Sequence, residues 1–297
     1  MKVEATALNR ADLLQRAGKY PPPPGASPIL GLEVAGYIDQ VGKNVVGFRE
    51  GDAVCTLLEG GGYAEYAVVR QEVLMRVPEG LFMKEAAAIP EVFLTAYQAL
   101  FMVSHRLKKG ERVLIHGGGS GVGTAAIQLV RLAGAIPWVT ASASKHAACL
   151  ELGAEMAIDY RSESFEEVIR DRTDGKGVDV ILDMIGAPYL HANLNSLALD
   201  GRLVMIALMG GFRPEAVNLI PVLKKRLQIT GTTLRSRSLA YKAQLASEMK
   251  GFTWPHFQSG AIHPVIDRVF DWHDVRSAHE YMASNANIGK IILNITP

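Results

Sequence analysis

Cysteine is nearly absent from this chain of 297 residues: Cys55 and Cys149 are the only two. Two thiols without a ladder of spacings argue against a disulfide framework and against a zinc lobe built from cysteine. Charge of one sign is also lacking. Lys and Arg number 31 against 30 Asp and Glu, a net charge of +1, so nothing recommends nucleic acid or an anionic membrane as a partner. No apolar run reads as approaching the ~20 residues that a membrane span requires. No apolar block follows Met1-Lys2-Val3-Glu4-Ala5, so the start does not read as a secretion signal. With 48% hydrophobic and 21% charged residues, the composition is that of an ordinary soluble enzyme, and a cytoplasmic, reducing setting is the default. The length leaves room for one large domain or two ordinary ones. No internal repeat and no low-complexity stretch stands out.

What is present is organised around residues 112 to 133. Val113 to Ile115 form an apolar run long enough for a buried strand, and glycines follow at once in His116-Gly117-Gly118-Gly119-Ser120-Gly121-Val122-Gly123. A helical pattern comes next, with Ala125, Ala126, Leu129, Val130 and Ala133 on one face. Strand, glycine turn and helix in that order make a phosphate site, because backbone N–H groups and the helix dipole both favour a pyrophosphate. The literal G-x-G-x-x-G is absent. Counted from Gly118, the second glycine position is Ser120 and Gly123 fits the third; the shifted frame Gly121-x-Gly123-x-x-Ala126 fits the variant ending in alanine. Glycines also serve as caps and tight turns, so a turn that binds nothing is the alternative.

Residues 1 to 91 read as β-rich, with strands expected at Glu33–Val41, Ala53–Leu58 and Tyr63–Val69 between glycine and proline turns. A small barrel with long connections fits that pattern. Thr95 to Val103 read as helix. From Arg112 the pattern alternates: strands at Val113–Ile115, Trp138–Ala141, Ala157–Asp159, Val178–Asp183, Leu203–Ala207 and Ile229–Gly231, and helices at Thr124–Ala133, Lys145–Leu152, Phe165–Thr173, Leu190–Leu199 and Pro221–Arg226. Alternation of this kind implies right-handed βαβ units and a six-stranded parallel sheet. The tail carries a helix around Val275–Ser284 and a last strand, Lys290–Ile295, expected to return to the first domain. The eight histidines show no ligand spacing; His105, His116, His146 and His191 are scattered among helices and turns and read as surface or capping residues. Asp183 and Asp200 read as a strand end and an Asp-Gly turn.

Several runs together carry a resemblance. Ala7 to Asp12, Leu30 to Gly36, Glu50-Gly51-Asp52, Ala86 to Pro90, Leu94 to Tyr97, Ile115 to Gly123, Leu152-Gly153-Ala154 and Gly289-Lys290-Ile291 resemble the medium-chain dehydrogenase/reductase superfamily, in particular its zinc-free quinone oxidoreductases related to zeta-crystallin. The resemblance covers essentially the whole chain. It implies an α/β protein with a GroES-like β-barrel catalytic domain, residues 1–91 and 234–297, and a Rossmann doubly wound parallel sheet, residues 92–233. It also implies about thirty further residues before Lys2, forming the barrel's opening strands; without them, strand edges and apolar surface are expected to be exposed.

In related alcohol dehydrogenases a catalytic zinc is held by a cysteine, a histidine–glutamate pair and a further ligand. The matching positions here are Asn9 and Gly31-Leu32-Glu33, and neither an amide nor a leucine suits zinc. The resemblance therefore implies no metal, and without a Lewis acid the site suits quinones and activated alkenes better than alcohols. An NAD site usually places an acid about 20 residues past the glycine turn. The equivalent stretch, Val139 to Lys145, contains none. Ser142, Lys145 and Tyr160 look like the family's cradle for a 2′-phosphate, which implies NADPH; ordinary helix-start residues are the alternative for Ser142 and Lys145.

The resemblance places Gly118, Ser120, Gly121, Val122 and Gly123 on the pyrophosphate, Thr95 and Asn9 near the nicotinamide, Ile185, Gly186, Leu208, Met209 and Gly210 along the adenosine and ribose walls, and Asn287 at the closing edge. Tyr20 and Asn9 are the expected catalytic or positioning residues. Tyr20 could stack on a quinone ring and pass a proton to its oxygen, or only fix the polyproline loop. The expected activity is NADPH-dependent, zinc-independent reduction of quinones. The alternatives are reduction of the C=C bond of enals or enones, and a cofactor-binding protein with little turnover. A homodimer joined through the strand near Gln228 to Thr233 is implied, with no nucleic-acid or membrane partner.

Overall fold

The computed structural model describes residues 1–295. The chain forms two compact units, 1–94 with 234–297, and 95–233. The first opens with β1 (Lys2–Ala7), α1 (Arg10–Arg16), β2 (Glu33–Tyr37), β3 (Ala53–Leu57), β4 (Leu74–Arg76), the short α2 (Met83–Ala86) and α3 (Pro90–Tyr97). The chain returns to it with α9 (Leu239–Gln258), β11 (Ile266–Asp271), α10 (Val275–Ala283) and β12 (Lys290–Asn294). Its strands order as β11-β12-β1-β2-β3-β4. Every neighbouring pair is antiparallel except β11 with β12. Val3, Leu8, Val34, Ile291 and Leu293 fill its core against Ala278 and Met282 of α10.

The second unit alternates strand and helix: β5 (Arg112–His116), α4 (Gly121–Leu132), β6 (Ile136–Ala141), α5 (His146–Glu151), β7 (Met156–Asp159), α6 (Phe165–Arg172), β8 (Val178–Asp183), α7 (Leu190–Ser196), β9 (Leu197–Met205), α8 (Ile220–Lys224) and β10 (Gln228–Gly231). All five strand pairings are parallel, in the order β10-β9-β8-β5-β6-β7. Counted from β7, that is the doubly wound order 3-2-1-4-5-6, whose direction reverses between β5 and β8. Leu114, Trp138, Ile158, Ile181 and Leu203 from five strands pack on Phe165, Ile169 and Leu194 of the helices.

Several expectations are corrected. Tyr63–Val69 forms no strand; it makes one isolated bridge, Tyr66 with Lys2, and Val68 stands fully exposed. The helix expected at Thr95 begins at Pro90 and turns into a π-helix over Gln98–Val103. A proline at the first helical position is tolerated because its missing N–H has no partner there. Joined to α2, that segment makes a helical run, Met83–Val103, of 21 residues whose most apolar 18-residue window has a mean hydropathy of 1.5, so a run of spanning length does exist. Buried within the protein over 72% of its most apolar window, it is a core helix here. The helix from Leu190 stops at Ser196, and Leu197 already belongs to β9. Asp200 takes a positive φ of 59° and clasps Arg226 through both carboxylate oxygens, at 2.7 and 2.6 Å.

Candidate active site

The loop between β5 and α4 is shaped by its glycines. A Cβ on Gly118 would lie 2.6 Å from the Val139 side chain, and one on Gly123 would strike the carbonyl oxygen of Gly117. Gly117 itself has φ +67°. Helix α4 therefore starts against the sheet, as only glycine allows. Ser120 caps it, its hydroxyl accepting from Gly123 N at 3.0 Å. Ser120 N is spent on Gly117 O. Gly121 and Val122, in the first turn, have no intrahelical acceptor for their N–H groups. Two outward N–H groups at a helix start, beside a loop that excludes side chains, fit a pyrophosphate.

The ends of β6 and β7 lie beside that loop. Gly118 N donates to Thr140 O at 3.0 Å, and Ala141 pairs with Asp159, so Ser142 and Tyr160 follow in neighbouring strands. A Cβ on Gly119 would meet the Lys145 side chain, which places that lysine's stem against the glycine loop. Ser142 is nearly buried and lies 3.4 Å from the Ser144 hydroxyl, whereas Tyr160 is exposed with Arg161 5.8 Å from its ring. Arg161 went unnoticed in the sequence, although it sits next to Tyr160. Asp159, the acid at this strand end, is turned inward on its own loop: it accepts from Arg161 N at 3.1 Å and from the Ser162 hydroxyl at 3.2 Å.

Past β8 and β9 the two expected wall segments dock on each other. Gly210 N donates to Ile185 O at 2.8 Å, and Met209 N to Met184 O at 3.1 Å. Gly186 has φ +86°, and Asp183 fixes the turn by accepting from Ile185 N at 2.6 Å and Gly186 N at 3.2 Å. Leu208 and Met209 are each 49% exposed. His116, expected at a surface or a cap, is instead wholly buried at the end of β5, hydrogen-bonded to Thr140 and Asn193 between Phe165 and Tyr189. Burial pushes its imidazole down to about 4. Thr95 lies half-buried in α3.

The first unit holds a second cluster. Glu33 is completely buried; Oε1 accepts from Lys290 Nζ at 2.7 Å and Asn9 Nδ2 at 2.9 Å, and Oε2 accepts from Glu91 N at 2.7 Å. Asn9 caps α1. Both its amide hydrogens are engaged, on Glu33 and Ala7 O, and its oxygen accepts from Lys290 at 2.7 Å. The positions matched to the zinc ligands of related dehydrogenases thus carry an amide, a leucine and a carboxylate already paired with the Lys290 ammonium, a set that does not fit a zinc ion. Among the described residues, no three His, Cys, Asp or Glu side chains gather as metal ligands. Loss of solvent, reinforced by Glu33, pushes the Glu91 carboxyl up to about 8.

Tyr20 sits under Arg235, whose guanidinium carbon is 5.3 Å from the ring centroid. Asn287 is nearly buried and donates to Gly289 O at 2.8 Å. Glu91 and Arg235 were missed in the sequence. Each becomes notable only through neighbours distant in the chain.

Comparison with known proteins agrees with this architecture. Residues 1–79 match the alcohol dehydrogenase GroES-like domain, and residues 152–293 match a family described as zinc-binding dehydrogenase. The chain belongs to the medium-chain dehydrogenase/reductase superfamily. It is 33% identical over 296 residues to a quinone oxidoreductase of Lama guanicoe, covering 99% of this chain and 87% of the relative. It is 32% identical over 311 residues to the synaptic vesicle membrane protein VAT-1 homolog of Danio rerio, of which it spans 64%. A solved quinone oxidoreductase of Thermus thermophilus, described together with its NADPH complex, is 30% identical and superposes with a TM-score of 0.83 over 99% of this chain and 90% of that one. These relatives and the fold make the protein an oxidoreductase of the nicotinamide-binding kind.

Proposed function

We propose that the protein is an NADPH-dependent quinone reductase that works without zinc. The observation that carries the reading is the end of β6: Ser142 and Lys145 stand beside the glycine loop, Tyr160 follows in the neighbouring strand, and Asp159 is turned onto its own loop. Cationic and hydroxyl donors at that place favour a 2′-phosphate over a bare ribose hydroxyl. Gly121 and Val122 would hold the pyrophosphate, with Ile185, Gly186, Leu208, Met209 and Gly210 along the nucleoside. When bound, the nicotinamide supplies hydride.

The chain's own residues then orient the acceptor and supply a proton. Tyr20 carries the phenol that lies under the buried Arg235 guanidinium, so it is assigned to the acceptor oxygen. Asn9 and Thr95 position the reacting groups. Asn9 does so as a rigid part of the Glu33–Lys290 network, since its amide hydrogens are already used. Quinones accept hydride readily without a Lewis acid, which matches a donor set unsuited to zinc.

The test is oxidation of NADPH and NADH by the purified protein, with an ortho-quinone and an alkenal assayed side by side. The reading expects faster turnover with NADPH and with the quinone. Faster reduction of the alkenal moves the activity to C=C bonds, and tight NADPH binding without turnover of either acceptor makes the protein a cofactor binder. Equal KM values for the two cofactors sink the 2′-phosphate assignment.

The same reading includes a homodimer. Strand β10 is an edge strand with Ile229 exposed, and Leu219, Ile220 and Leu223 are exposed on and beside α8. An open edge with apolar neighbours is a surface that folded proteins usually cover. Light scattering on the eluting protein at one chain's mass of 32.1 kDa would count against it.

A further inference from the structure

Arg235 is 5% exposed, yet among the described residues no carboxylate lies within ion-pair distance of it. Glu59 gives its carboxylate to Lys242 Nζ and only a backbone carbonyl to the arginine. Arg235 Nε and Nη2 both donate to Glu59 O, at 2.8 and 2.6 Å. Nη2 also donates to Gln15 Oε1 at 2.8 Å, and Nη1 reaches Tyr20 O at 3.5 Å. Lys242 in turn donates to Arg235 O at 2.7 Å, which fixes the arginine's own backbone. The guanidinium carbon lies over the Tyr20 ring, 5.3 Å from its centroid.

A guanidinium stays charged in any protein, and burying it without a counter-ion is costly. A fold that needed only a staple between the Gln15, Tyr20 and Glu59 segments could use a neutral amide. Here the positive charge is kept, desolvated, and aimed at a phenol. We propose that Arg235 is a positioning residue for Tyr20: it fixes the ring against the acceptor and stabilises the negative charge left on the tyrosine oxygen when the proton is given up. This rests on the assignment of Tyr20 made above.

The chemistry balances. A quinone that has received hydride carries both electrons and one negative charge on oxygen. The Tyr20 O–H bond breaks, the second hydroquinone O–H bond forms, and the tyrosinate regains its proton from water. Burial and the carboxyl of Glu91 make the Tyr20 phenol a weaker acid, and Arg235 acts the other way. Arg235 thus offsets part of the rise and eases proton release from this half-buried tyrosine. A cation over an aromatic face also strengthens as water is excluded.

The experiment uses the full chain with tyrosine labelled at Cζ with carbon-13. The Tyr20 signal is assigned by its loss in Tyr20→Phe and titrated in the wild type, Arg235→Lys and Arg235→Gln. The expected result is a Tyr20 titration at higher pH in Arg235→Gln, by about one unit, a tenfold weaker acid, with a smaller shift in Arg235→Lys. Quinone kcat falls by about tenfold in the glutamine variant and is partly restored in the lysine variant, while the KM for NADPH stays within about twofold. In a Tyr20→Phe background, Arg235→Gln causes no further loss. An unmoved Tyr20 titration, or losses that multiply in the double variant, overturns the proposal. If Arg235→Gln does not fold, Arg235→Lys decides alone by the same titration. Full quinone activity in Tyr20→Phe, with the titration shift still present, instead removes the proton-donor role of Tyr20 and leaves the Arg235–Tyr20 coupling standing.

Discussion

Lys290 Nζ stands 2.7 Å from Glu33 Oε1, with the two side chains 4% and 0% exposed. The three ammonium hydrogens meet three acceptors, Leu8 O, Asn9 Oδ1 and Glu33, at 2.7 to 2.8 Å. The pair ties β12 to β2 and to the residue that caps α1. Removing one member leaves the other charged and buried, which typically destabilises by about 3–5 kcal/mol. Lys290→Met is therefore expected to lose that much in urea unfolding. Lys290→Met with Glu33→Gln should lose less than the two single changes added together. A single variant within about 1 kcal/mol of wild type would show that the pair is not a structural tie.

Glu91 gives the fold a pH dependence of definite sign. Its carboxyl titrates near 8 in the folded protein against 4.5 ordinarily, first through desolvation and then through Glu33. The folded state therefore holds a proton that the unfolded chain has released between those values. That contribution is complete below pH 4.5 and is lost as pH rises through 8. Asp12, raised to about 6, behaves likewise lower down, and the N-terminal amine, lowered from 8.0 by burial, acts in the window from pH 6.5 to 8, so the difference between wild type and Glu91→Gln there isolates Glu91. Glu91→Gln should gain on the wild type across that window, by at most about 1.4 kcal/mol per pH unit. Parallel stability curves for the two proteins would contradict this.

What was legible in the sequence followed the range of the interactions. The six parallel strands and their helices were readable because each βα unit writes its apolar period locally, as in Val113–Ile115 followed by Ala125, Leu129 and Val130. The glycine turn was readable for the same reason. Strand Tyr63–Val69 failed because alternation is only an offer of pairing, and here one bridge at Tyr66 takes it up. Helix α9 was missed because its buried positions include Lys242 and Thr253 and its last turn contains Pro255. Lys242 is buried for the sake of Glu59, which lies 183 residues away. The Asn9–Glu33–Lys290 cluster spans 281 residues of chain, and Arg235 meets Tyr20 across 215. No local pattern encodes either one.

The glycine loop gives a sharper test than any polar residue near it. A methyl group on Gly123 would strike the Gly117 carbonyl, with the Gly118 backbone close behind, and backbone cannot swing aside as a side chain can. Gly123→Ala must push α4 away from β5 and misdirect the Gly121 and Val122 N–H groups. Dinucleotide affinity, read by quenching or transfer of nicotinamide fluorescence, should fall by at least about a hundredfold, the low end for two hydrogen bonds to a charged group. Gly119→Ala meets the Lys145 side chain rather than backbone, so with NADH, which has no 2′-phosphate for Lys145 to hold, affinity should fall far less. Equal losses for both would mean that the loop does not cradle the pyrophosphate.

Lys145 decides between the two nicotinamide cofactors. Its stem packs on Gly119, at the glycine loop. A hydrogen bond between charged groups contributes about 1.5–3 kcal/mol, or roughly 10- to 150-fold in affinity. Lys145→Ala should raise the KM for NADPH by that factor and leave the KM for NADH within about twofold, since only one cofactor bears the 2′-phosphate. Arg161, next to Tyr160, offers a second cation, so Arg161→Ala should add a smaller loss of the same selectivity. Both losses should shrink as ionic strength rises from about 0.01 to 0.15 M, where the screening length falls from about 30 to 8 Å. Equal changes in both KM values would instead assign Lys145 to the shape of the loop and not to a phosphate.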